Sequence, residues 1–263
     1  KGRESFVDAL AATSAEAVTI DILALSTALA EVVTKQLYQS TTGTSLTSPL
    51  KYGKSSEQIE QIHENYREEA KGLYKEVLRL LATVVSTPPL ERGSDVTKTT
   101  QAQVVYEARC GSAHLHFVLG DKDRALAQLE ACKAFLESEM DSFPSSKEEV
   151  FNWAPDRILV VRRRIAEVSL SLPNVSSVDR EGLQQELIDV IREQDVRVSL
   201  SALSIHDPAR LPNIERRMNL LDSMHVLAKD VYMRPDTANG LKAELLLREL
   251  YERRSTFLED NHA

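Results

Sequence analysis

Residues 106–140 read YEARCGSAHLHFVLGDKDRALAQLEACKAFLESEM. Small and apolar residues recur at helical spacing on both sides of a central Gly120-Asp121. Ahead of the break Ala108, Ala113, Phe117 and Val118 form one stripe; behind it Ala125, Leu126, Leu129, Cys132 and Leu136 form another. A glycine can end a helix in the left-handed conformation, and an aspartate can cap the next one. The stretch therefore predicts two helices folded back on each other through a tight turn. Cys110 and Cys132 lie symmetrically about that turn. Each is about 11 residues from it, so at about 1.5 Å rise per residue both sit at a similar height on facing helices. A disulfide or redox pair is one reading. Two small buried residues that allow close helix approach is the favoured one, since no other feature points to an oxidising compartment.

The same hairpin resembles the tetratricopeptide (TPR) family over about one repeat of about 34 residues. Aligned on Gly120, the small position of the first helix falls on Ala113. The small, large and small positions of the second helix fall on Ala125, Leu129 and Cys132. The match departs from the pattern at His116, where an aromatic residue is usual, and near Glu137, where a closing proline is absent. No second good copy of the pattern lies 34 residues away in either direction, and several helices are expected to exceed the 13–15 residues that such a repeat allows. The resemblance implies a stack of helical hairpins whose first helices line a groove. It would expose Arg109, Ser112 and His116 there.

Composition agrees with helix-on-helix packing. Hydrophobic residues make up 42% of the 263 residues but aromatics only 5%, so the core must be built from Leu, Val, Ile and Ala. The nine glycines and nine prolines fall almost entirely between the periodic runs. The formal net charge of -8 is spread along the chain with no basic face. That speaks against nucleic acid or an anionic membrane as the main partner. No stretch of 18 uncharged apolar residues exists, so no transmembrane helix is expected. Without a recognisable export signal, the sequon Asn174-Val175-Ser176 is read as chance and the expected location is intracellular, in the cytoplasm.

Taken in order, residues 4–39 predict one long helix, with Phe6, Leu10, Ala17, Ile20, Leu23, Ala24, Ala28, Val32 and Leu37 in its apolar stripe. A helix apolar around so much of its circumference should be covered on more than one side. Residues 10–32 are thus a candidate surface for oligomerisation. A Ser/Thr/Gly-rich loop follows at residues 40–55. A helix capped at Ser55 or Ser56 then runs to about Ser86, before Pro88-Pro89. Residues 90–100 are polar and predict a connector into the hairpin. After Phe143-Pro144, a capping signal at Ser145 or Ser146 precedes Lys147-Glu148-Glu149. Pro155 should then start or kink a helix carrying Ile158, Leu159, Val161, Ile165, Val168 and Leu172. Asp179 is expected to cap a helix over 180–205, with Leu183, Leu187, Ile188, Ile191, Val196, Val198 and Leu203 inward. His206-Asp207-Pro208 ends it. Residues 212–233 predict a seventh helix with Leu220, Leu221, Met224, Leu227 and Val231 inward. Arg234-Pro235-Asp236 stops that helix, and Asp236 or Thr237 caps the last, over 238–260. The expected fold is all-α: about eight helices in stacked antiparallel hairpins, either a TPR-like α-solenoid or a helical bundle. It divides into a long hairpin at 1–87 and a TPR-like array at 99–263, packed together as one unit.

No chemistry stands above background. HExxH, CxxC, G-x-S-x-G, phosphate-loop and dinucleotide signatures are all absent, so neither a catalytic residue nor a metal or cofactor is expected. His114 and His116 point about 200° apart on a helix and cannot chelate one metal from one face. Arg157, Arg162, Arg163 and Arg164 are the one cationic cluster. Arg157 and Arg164, two turns apart, could line a groove that holds a carboxylate or phosphate, although salt bridges to neighbouring helices are the plainer role. The expected function is a non-enzymatic scaffold or adaptor that binds a partner protein or peptide in a groove, as a subunit of a larger assembly. The alternative is a phosphopeptide-binding module using those arginines. An enzyme with residues scattered in sequence would need a deep pocket lined by carboxylates or histidines.

Overall fold

The computed structural model describes residues 20–42, 55–86, 95–142, 153–200, 210–235 and 237–260. Among them there are eight helices and no strand: α1 (Ile20–Thr42), α2 (Ser56–Ser86), α3 (Asp95–Val118), α4 (Lys122–Ser142), α5 (Ala154–Leu170), α6 (Ser177–Leu200), α7 (Arg210–Met233) and α8 (Gly240–Asp260). The all-α expectation holds. Contacts divide the chain into two compact units, Lys1–Phe151 and Asn152–Ala263. The sequence had placed its division between 87 and 99. The contacts fall otherwise because α3 packs on α1 and α2 as well as on α4.

In the first unit, local chemistry sets the helix ends. Ser55 and Gln58 form a reciprocal capping box: the Gln58 amide donates to Ser55 Oγ at 3.3 Å, and the Ser55 amide donates to Gln58 Oε1 at 3.0 Å. Gly120 closes α3 in the left-handed region at φ 82°. Its amide donates to the Phe117 carbonyl at 3.0 Å and the Asp121 amide to the His116 carbonyl at 2.9 Å, the paired bonds of a Schellman cap. Asp121 then caps α4, its Oδ1 accepting from the Arg124 amide at 3.3 Å.

The core of this unit joins Leu23, Ala30, Val33 and Leu37 of α1 to Leu73, Val77, Leu80 and Leu81 of α2 and to Val104, Val105, Ala108 and Leu115 of α3. Ala125, Leu129, Cys132 and Leu136 of α4 are also buried, as the hairpin predicted. Two of the hydroxyls that α1 turns inward are satisfied by its own backbone: Ser26 Oγ donates to the Ile22 carbonyl at 2.6 Å and Thr34 Oγ1 to the Ala30 carbonyl at 2.9 Å, whereas the buried Thr27 Oγ1 has no hydrogen-bond partner. Two expectations change here. Helix α3 begins at Asp95, inside the run read as a connector; residues 95–100 contain neither Gly nor Pro, so nothing in them breaks a helix. Ala28 and Val32, expected in the buried stripe of α1, are exposed. The parts of the first-helix reading that fall on residues 4–19, and the cap at Ser145 or Ser146, lie outside the described residues.

The second unit is built around Ala166 and Leu170 of α5, Leu187, Ile188, Ile191 and Val198 of α6, Leu220 and Leu227 of α7, and Ala243, Leu246 and Leu250 of α8. Pro155 sits in the first turn of α5, where its missing N–H costs no helical bond. Ser176, not Asp179, caps α6: the Asp179 amide donates to Ser176 Oγ at 3.1 Å, and that hydroxyl donates to Asp179 Oδ2 at 2.7 Å. Both residues are capping types, and the serine three residues upstream takes the position. Val196 and Leu221, expected inward, are 56% and 50% exposed. Leu221 adjoins the fully buried Leu220, and successive helical residues point about 100° apart. The ends expected at Ile205 and His206-Asp207-Pro208 lie outside the described residues.

Candidate functional site

The hairpin turn brings Arg109, Ser112 and His116 onto one stripe of α3, but that stripe is not an open groove. Ser112 is fully buried and its Oγ has no hydrogen-bond partner, so the exposure implied by the TPR resemblance fails at this residue. Close helix packing covers a side chain that an open concave face would have displayed. Arg109 is half-buried, with its Nε enclosed and lacking an acceptor. His116 is half-buried beside the turn, its Nδ1 3.9 Å from Asp121 Oδ2. Burial holds its pKa below the ordinary histidine value; the Asp121 carboxylate opposes that shift and Arg124 adds to it.

The arginines of α5 are engaged inside their own unit. Arg162 donates from Nε to Glu186 at 2.6 Å and from Nη1 to Glu193 at 3.1 Å, both on α6. The Glu186 bond foremost raises the arginine pKa. Arg157 pairs with Glu215 of α7, and Arg163 lies 3.7 Å from Asp222 of the same helix. Arg164 is half-buried and forms no ion pair among the described residues. The three paired arginines therefore fan out to separate partners. The sequence could not show this, because every acid they meet lies more than 20 residues away.

A second ionic knot holds the start of α5. Asp156 accepts from Arg216 Nε at 2.8 Å and faces Arg197 at 3.6 Å. With Leu159, Gln194 and Asn219 these residues line a cavity of about 10 Å³. That is room for one water molecule, far below what a substrate needs. Among the described residues, no three His, Cys, Asp or Glu side chains are grouped to hold a metal ion. None of the described helices is long and apolar enough to cross a membrane. Cys110 and Cys132 face each other without a disulfide.

The largest departure from the sequence reading is apolar surface. Leu25 and Val32 on α1, Ile214, Met218, Leu221 and Tyr232 on α7, and Leu241, Leu245 and Tyr251 on α8 are all at least 45% exposed. On α7 the signal was present as a second stripe at helical spacing beside the one that fills the core. No protein-family model matches the chain, and neither the curated proteins nor the solved structures contain a match.

Proposed function

We propose that this protein is a non-enzymatic helical scaffold whose partner is another protein. The observation that carries this reading is α1. It buries Leu23, Ala30, Val33 and Leu37 in its own unit, and on the opposite face it presents Leu25 and Val32, 57% and 52% exposed, with Ala28 between them. A helix with two apolar faces has one to spare for a second contact. A partner helix or extended peptide laid along it would bury the remainder, and Arg109 and His116 would offer polar contacts from α3. This retains the expected interaction role, with α1 as its principal surface.

The phosphopeptide alternative has less support. Arg157, Arg162 and Arg163 would have to leave Glu215, Glu186, Glu193 and Asp222 to meet a phosphate. Each exchange gives up one ion pair to make another, which leaves little net gain.

The test is quantitative recovery of partners from the native source. Wild type is compared with Leu25→Glu/Val32→Glu and with Arg109→Glu/His116→Glu, after equal helicity is verified. A stoichiometric partner retained by wild type and lost from the α1 variant supports the reading. Loss from the second variant alone moves the site to α3. An identical set of proteins recovered by all three chains overturns both surfaces.

A further inference from the structure

Helix α7 carries two apolar stripes. One faces the core through Leu220, Ser223 and Leu227. The other runs Ile214, Met218, Leu221, His225, Ala228, Tyr232, and every one of these residues is exposed. Their spacing is four, three, four, three, four, the a/d alternation of a coiled-coil seam. The seam runs from Ile214 to Tyr232, 19 residues, or about 27 Å from end to end at about 1.5 Å per residue.

We infer that α7 pairs with α7 of a second copy of this chain in an antiparallel helix pair centred near Ser223. The flanking charges argue for a second copy. In the antiparallel register Glu215 beside the seam meets Lys229 of the second copy, and by symmetry the pair forms twice. Lys229 is exposed and makes no ion pair among the described residues, while Glu215 is anchored by Arg157 through one oxygen and keeps the other. The central Asp222 meets its own counterpart. Arg163, 3.7 Å away, offsets part of that repulsion.

Shape decides the orientation. Antiparallel pairing sets Ile214 against Tyr232, Met218 against Ala228 and Leu221 against His225, so large residues meet small or flat ones. Parallel pairing would stack His225 on His225 and leave a gap where Ala228 meets Ala228, although it would offer Arg217 to Asp222. One five-turn seam is smaller than a standard interface of about 800 Å² per partner, which makes the dimer a weak, concentration-dependent one.

This inference concerns the second unit and does not rest on the α1 surface. Sedimentation velocity on the full chain, from dilute solution to the highest concentration at which it stays soluble, tests it. The expected result is a rise from monomer to dimer mass for wild type. Met218→Glu/Leu221→Glu, both at exposed positions, should remain monomeric with unchanged helicity. Mixing Met218→Cys chains with Ala228→Cys chains under oxidation should yield a crosslinked heterodimer, with little crosslinking of either alone. Wild type that stays monomeric throughout, or a dimer that survives Met218→Glu/Leu221→Glu, overturns the proposal and leaves the α1 reading untouched. Crosslinking of each single variant to itself but not to the other overturns the antiparallel orientation.

Discussion

The sulfurs of Cys110 and Cys132 stand 3.8 Å apart across the α3–α4 interface. Cys132 is fully buried and Cys110 is 7% exposed. Small side chains at this level let the two helices approach closely, and burial shields the thiols from reagents. An aromatic disulfide reagent should therefore modify neither thiol of the native chain at an appreciable rate, and both after denaturation. Cys132→Leu, which adds volume to a filled site, should cost about 1–3 kcal/mol in thermal or urea unfolding. Rapid native labelling, or a Leu variant as stable as wild type, would refute this packing role.

Two helix-interior glycines should respond in opposite ways to alanine. A Cβ at Gly111 would lie 2.5 Å from the hydroxyl oxygen of Tyr74 and 3.2 Å from its ring, and Tyr74 is itself only 2% exposed. Gly111→Ala should destabilise the chain by about 1–3 kcal/mol. A Cβ at Gly72 meets nothing within 4 Å. Gly72→Ala should stabilise by about 0.5–1 kcal/mol through helix propensity alone. Circular dichroism melts of the two variants beside wild type decide the matter.

Arg180 and Asp230 form a buried pair at 2.8 Å, with side chains 6% and 12% exposed. Arg180 also reaches the Leu170 carbonyl at 3.3 Å, and Gln184 donates to the other Asp230 oxygen at 2.7 Å. Arg180→Met strands a carboxylate in the interior and should cost about 3–5 kcal/mol. Arg180→Met/Asp230→Leu should recover much of that loss. Trp153, the sole tryptophan, opens α5, so its fluorescence during urea unfolding follows the second unit. A double variant no better than the single one would show that the site needs the charges themselves.

His116 gives the first unit a pH dependence of known sign. Burial lowers its pKa, so the folded chain holds this proton less tightly than the unfolded chain does. Acidification through and below the ordinary histidine value therefore favours unfolding, and stability returns as pH rises through that window. Melting temperatures at pH 5 and pH 7.5 should differ more for wild type than for His116→Gln. An NMR titration should place the His116 midpoint below that of an unfolded-peptide histidine. A midpoint above it would mean that the Asp121 carboxylate, 3.9 Å away, outweighs burial.

The sequence by itself determined several of the helix ends. The Gly120 Schellman turn, the Ser55–Gln58 capping box and Pro155 in the first turn of α5 involve bonds between residues five or fewer apart, so their chemistry is legible without knowing the fold. The stripe Ala125, Leu129, Cys132 and Leu136 was legible for the same reason, because one helical period fixes one face. Only the tertiary structure decided which apolar faces are covered and which charges are used. On α7 two stripes compete for burial, and α6 and α8 cover the one that holds Leu220 and leave Leu221 outside. Ser112 is enclosed by neighbouring packing, not by anything in its own helix. Arg162 finds Glu186 and Glu193 because α6 lies alongside α5. Burial and ion pairing are properties of what lies across the interface, and that partner is tens of residues away in sequence.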